Sequence, residues 1–160
     1  MNAHTGIVSY TWYNTGMDCY MTQVDFHTNV GDKLNYACRL TRKAYLAGQP
    51  LLVTGEAEVL REFDARLWTF SPLDFIPHCG VDSELSTVTP VVLAENLDTA
   101  PHHGILLNLG TTVPEHFARF ERLLEVVGDL PDDLNAGRDR YRFYRDHGYP
   151  MNTYKPTARV

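Results

Sequence analysis

The stretch Leu51-Leu52-Val53-Thr54-Gly55-Glu56-Ala57-Glu58-Val59-Leu60 decides the fold. Three consecutive apolar residues predict a short buried strand. Gly55 ends it, and Glu56 and Glu58 open a helix whose Leu60, Phe63 and Leu67 fall on one side. The same unit stands upstream. Val24 and Phe26 alternate with polar neighbours over 22–28, which predicts a strand. Leu34, Ala37, Cys38, Thr41, Ala44 and Tyr45 follow at 3–4 spacing, so 32–48 reads as an amphipathic helix closed by Gly48. Downstream, Pro72 and Pro77 bracket an extended piece at 74–76, and 80–89 reads as a polar surface loop. Val91-Val92-Leu93 and Ile105-Leu106-Leu107-Asn108-Leu109 are apolar runs expected to be strands covered on both faces. Thr112 with Glu115 three residues on is a capping box, predicting a helix that buries Phe117, Phe120, Leu123 and Leu124. Pro131-Asp132-Asp133 opens a last helix, Gly148 stops it, and a short tail carries Pro150 and Pro156. Strands alternating with helices in this way predict one three-layer α/β domain, a largely parallel sheet with helices on both faces.

Composition agrees. The 160 residues, 44% hydrophobic and 21% charged, suit a single globular core rather than a disordered or fibrous chain. A formal charge of −6 argues against bulk electrostatic capture of nucleic acid. Cys19, Cys38 and Cys79 form no CxxC pattern, and an odd count fits free thiols in a reducing cytoplasm. No apolar run approaches the ~20 residues of a membrane span. Residues 1–20 lack the basic start and apolar stretch of a secretory signal. They read as a disordered or spurious extension ahead of Met21, with the domain at 21–156 and a C-terminal tail at 157–160.

Catalytic chemistry finds no foothold in this pattern. The turns Thr28-Asn29-Val30-Gly31-Asp32-Lys33, Thr54-Gly55-Glu56 and Gly110-Thr111-Thr112 match neither GxxxxGK[ST] nor GxGxxG. Asp32 would also repel a phosphate. His78, His102, His103 and His116 have no metal-ligand spacing and are expected to be loop or surface histidines, so no metal and no cofactor is expected. Cys38 falls on an inward helix face, and no GxSxG is present.

Two features stand out. Arg138, Arg140, Arg142 and Arg145 crowd into the last helix around Tyr141, Phe143 and Tyr144. Arg138, Tyr141, Arg142 and Arg145 recur at i, i+3, i+4 and i+7, one stripe suited to carboxylates or phosphates. The other feature is apolar: Trp68, Phe70, Leu73 and Phe75 between Pro72 and Pro77, good interface anchors in a stiff connection.

Val24-Asp25-Phe26, Arg66-Leu67-Trp68, Phe75-Ile76-Pro77-His78, Arg140-Tyr141-Arg142-Phe143-Tyr144-Arg145, Gly148-Tyr149 and Asn152-Thr153, in that order, resemble the chi subunit of bacterial DNA polymerase III. The resemblance covers about residues 21–156. It implies a Rossmann-like fold without a phosphate loop and an accessory subunit without catalysis of its own, within a DNA-directed DNA polymerase, a nucleotidyltransferase. Chi proteins join the clamp loader through the psi subunit and bind the acidic C-terminal tail of single-stranded DNA-binding protein. By that resemblance Arg138, Tyr141, Arg142 and Leu130 form the tail-binding surface. Trp68 and Phe75 match positions that dock psi or, in some members, a repair helicase. Contact with DNA would be mainly indirect. The family often carries a lysine where this sequence has Leu134, which removes one cation. Two other readings remain open at this point: single-stranded nucleic acid gripped directly by the Arg/Tyr stripe, and a nucleotide-using α/β enzyme.

Overall fold

A computed structural model describes residues 21–156. Seven strands form one all-parallel sheet: β1 (Gln23–Val30), β2 (Leu51–Thr54), β3 (His78–Gly80), β4 (Val91–Ala94), β5 (Ile105–Asn108), β6 (Arg122–Gly128) and β7 (Met151–Tyr154), in the order β3-β4-β2-β5-β6-β1-β7. Helices α1 (Lys33–Leu46) and α2 (Ala57–Phe70) carry the chain toward the β3 edge. Helix α3 (Pro131–Asp146) carries it the other way, from β6 past β1 to β7. Right-handed crossovers running in opposite directions lie on opposite faces. Accordingly Ala37, Cys38, Leu60 and Phe63 pack one face of the sheet, and Tyr144 packs the other with Phe117 and Phe120. The expected three-layer α/β domain is what forms.

Local chemistry explains the helix ends. Asp32 caps α1, its side chain accepting from the Asn35 amide at 3.1 Å. Gly48 and Gly148 sit just beyond α1 and α3 with φ of 74° and 80°, a left-handed conformation that glycine adopts without strain. Their amides donate to Tyr45 and Arg145 carbonyls, closing both helices.

Two sequence expectations fail. The helix expected after Thr112 is a single 3₁₀ turn, Phe117–Arg119, entered through His116 at φ 68°. Leu123 and Leu124 belong instead to β6, which is buried along its whole length and sits between β5 and β1. Burial on both faces removes the polar alternation that would have marked it, and the capping box misled. The tail around Pro150 is also ordered: 151–154 is β7, paired in parallel with β1 from Val24↔Met151 to His27↔Tyr154. The expected extension at 1–20 and the tail at 157–160 lie outside the described residues. No described helix is long and apolar enough to cross a membrane.

Candidate partner-binding surfaces

Helix α3 is held by its inner face. Gly137 sits so close to β6 that a Cβ there would lie 2.8 Å from both Val127 methyls. One turn on, Arg140 is 1% exposed and reaches Glu125, itself fully buried in β6. The Arg140 Nε donates to Glu125 Oε1 at 2.9 Å, the Tyr144 hydroxyl donates to Oε2 at 2.6 Å, and the Asn108 amide donates at 3.1 Å. Two of these donors lie on α3 and the third on β5, so the carboxylate ties α3 to β5 and β6. Burial first, and then the Glu125 charge, push the Tyr144 phenol well above its ordinary range, so the ring stays neutral. Arg140 therefore leaves the cationic cluster read from the sequence and becomes a core residue. Its partner lies 15 positions away, a pairing that no local pattern announces.

The outer face presents the rest. Arg138, Tyr141 and Arg142 are exposed. The Tyr141 ring rests edge-on against Phe26 of β1 at 5.2 Å, and Phe26 is buried. Arg138 donates to Asn135 at 3.0 Å, and Arg142 faces Asp139 at 3.4 Å. Both bonds are solvated i, i+3 contacts, weak enough to be exchanged for an incoming carboxylate. Arg145 turns to Asp146. Leu130 stands before the helix and is 70% exposed, about 12 Å along the axis from Arg138 at helical rise. The helix thus aligns Arg138, Tyr141 and Arg142, while Leu130 lies apart at its start. Leu134 is half-buried against the core.

The second patch lies at the far edge of the sheet. Trp68 near the end of α2 and Phe75 in the following connection are 53% and 64% exposed, and their rings meet at 5.5 Å. Under Trp68 lies His78, with ring centroids 4.4 Å apart. The expectation of exposed loop histidines fails here. The His78 side chain is buried, with Nδ1 donating to the Ile76 carbonyl at 2.8 Å and Nε2 lying 3.0 Å from Asp64 Oδ1. His102 is likewise half-buried, and burial lowers its pKa. Neither contact has a sequence signal beyond proximity in β3 and α2.

The phosphate positions of a doubly wound fold are filled by this chain's own carboxylates. Asp32 occupies the α1 N-terminus and pairs with Arg66 at 3.0 Å. Asp133, in the first turn of α3, accepts from the Gly128 amide at 2.6 Å and from Lys33 at 3.1 Å. The crevice at the C-terminal ends of β2 and β5 measures about 330 Å³ and is lined by Glu56, Glu95 and Glu115, the wrong sign for a phosphate. Among the described residues no group of three or more His, Cys, Asp or Glu side chains is placed to hold a metal. Cys38 is buried, and burial pushes its thiol up to about 12, far from a nucleophile's range.

Comparison with known proteins places the described domain in one family. The profile of the family described as DNA polymerase III chi subunit, HolC, matches residues 21–152. The DNA polymerase III subunit chi of Pseudomonas aeruginosa is 34% identical over 140 residues, covering 84% of this chain and 97% of that protein. Its counterpart from Haemophilus influenzae is 26% identical over 122 residues, covering 73% and 83%.

Proposed function

This chain belongs to the DNA polymerase III chi subunit family, and from that premise we propose that it is a non-catalytic adaptor with two partners. One surface, Arg138, Tyr141 and Arg142 with Leu130 at the head of the helix, takes the acidic, phenylalanine-ended tail of single-stranded DNA-binding protein. The other, Trp68 with Phe75, docks the psi subunit of the clamp loader or a protein that substitutes for it, such as a repair helicase. Its work is in DNA replication in the cytoplasm, and its contact with DNA runs through the tail.

The observation that carries the reading is the outer face of α3. Two guanidinium groups flank a phenol on a protein whose formal charge is −6, and the phenol is braced from below by Phe26. Guanidinium groups bind carboxylates through two parallel bonds, and an aromatic ring gives a terminal phenylalanine an apolar neighbour. Bracing lowers the ordering cost of binding.

Titration with a fluorescent tail peptide tests this reading, beside the same peptide lacking its final phenylalanine. Saturable binding to the intact peptide and loss with the shortened one is the expected result. Equal binding of both peptides, or of neither, contradicts it. A single-stranded oligonucleotide that saturates the chain without the tail would favour direct nucleic-acid binding instead.

A further inference from the structure

The apolar patch does not end at Trp68. His78, buried beneath that ring, lies 3.0 Å from Asp64, and Asp64 also lines a groove of about 820 Å³ along the β3 side of the sheet. Asp82, Glu95 and Asp98 line the same groove, against Arg61 as its one cation among the described residues. Arg61 is itself engaged by Glu58. Past Glu95 and Asn96 the groove runs into the crevice that holds Glu56 and Glu115. The Trp68 and Phe75 rings, exposed by 53% and 64%, therefore adjoin the acidic trough through His78 and Asp64, beside an edge strand with one neighbour.

We propose that patch and trough are one docking surface, fitted to a partner segment that seats an apolar anchor on Trp68 and Phe75 and lays lysine or arginine side chains along Asp64, Asp82 and Glu95. This rests on the reading of Trp68 and Phe75 as a docking patch and adds the chemistry of the occupant. Charge decides it. An acidic segment or a phosphate backbone would be repelled from the trough. A purely apolar partner would strip water from carboxylates without replacing it. A basic segment satisfies both parts, and its approach is electrostatically steered. The same charge keeps the acidic tail, which suits α3, away from this edge.

The test uses the full chain and a purified psi subunit, with dissociation constants measured at low and high salt. Trp68→Ala reports on the patch. Asp82→Lys combined with Glu95→Lys reports on the trough through two exposed positions. Tail-peptide binding in each variant checks that the fold is kept. The double variant should bind psi about tenfold more weakly at low salt, with the gap closing as salt rises. If Trp68→Ala weakens psi binding while the double variant leaves it unchanged or tighter, the acidic trough is overturned and the docking patch stands. If neither variant changes psi binding, the docking patch itself falls.

Discussion

The two edges of the sheet are built in opposite ways. At one, α3 presents Arg138, Tyr141 and Arg142 from a regular helix pinned by Gly137 and by a buried Arg140–Glu125 pair. At the other, Trp68, Leu73 and Phe75 project from a helix end and an irregular connection, beside acids rather than cations. Four to five strand spacings, about 19–24 Å, lie between β3 and the strands under α3. Under the proposed function, this contrast would keep two partners from exchanging sites. Opposite charge would select the partner, and separation would let both bind together.

The largest effect should come from attacking the pin of the cationic edge. Arg140→Ala leaves the buried Glu125 carboxylate without its counter-charge, and removing one member of such a pair costs about 3–5 kcal/mol. Urea unfolding should show that loss. A change below about 1 kcal/mol would mean that α3 is held by packing alone.

Acid should weaken the same half of the molecule next. His27 stacks on Tyr154 of β7 and meets the Tyr36 hydroxyl of α1 at 2.7 Å. Burial holds its pKa down at about 4, with Asp25 opposing and Lys43 and Arg122 adding. The unfolded chain takes up the proton near the ordinary value of about 6.5, so the neutral folded form is fully favoured above that pH. Stability should fall as pH drops from about 6.5 to about 4, by a total on the order of 3 kcal/mol. Melting curves across that window, compared with a His27→Gln variant that has the smaller slope, measure it. Equal slopes would remove His27 as the cause.

Binding effects at the exposed stripe should be somewhat smaller, and at the arginines they should leave stability alone. Arg138→Ala should weaken tail-peptide binding by about 1.5–3 kcal/mol, roughly ten- to a hundredfold, with an unchanged melting temperature. Tyr141→Ala should also weaken binding and lower the melting temperature slightly, because its ring packs on Phe26. Psi binding at the other edge should not move. Smallest of all, Arg66→Ala removes a half-exposed pair with Asp32 and should cost less than about 1 kcal/mol. A larger loss would show that the α1 N-terminus depends on that arginine.

What the sequence disclosed follows from range of interaction. Helices α1, α2 and α3 were legible because their apolar periods, caps and terminal glycines are local. So were β1, β2, β4 and β5, as alternating or short apolar runs between turn signals. Strand β6, between β5 and β1, was not. Leu123, Leu124, Val126 and Val127 in β6 are covered on both faces, and Glu125 among them spoils an apolar run while being satisfied by the distant Arg140, Tyr144 and Asn108. Strand β7 is a polar edge, Met151-Asn152-Thr153-Tyr154, whose pairing depends on β1 more than 120 positions away. The same limit applies to the surfaces. Helical spacing placed Arg138, Tyr141 and Arg142 on one face, but it could not remove Arg140 from the cluster or supply Phe26 beneath Tyr141. Trp68 and Phe75 were marked by composition, whereas His78, Asp64 and the trough beyond them arise only from the packing of α2 against β3.

The central claim is that two surfaces act independently. Its most direct test is the dissociation constant of the tail peptide, measured with the chain alone and with the chain saturated by psi. Independence predicts the same constant in both, and a complex containing all three components. Displacement of the peptide by psi, or a shift of tenfold or more, which is about 1.4 kcal/mol of coupling, would contradict it.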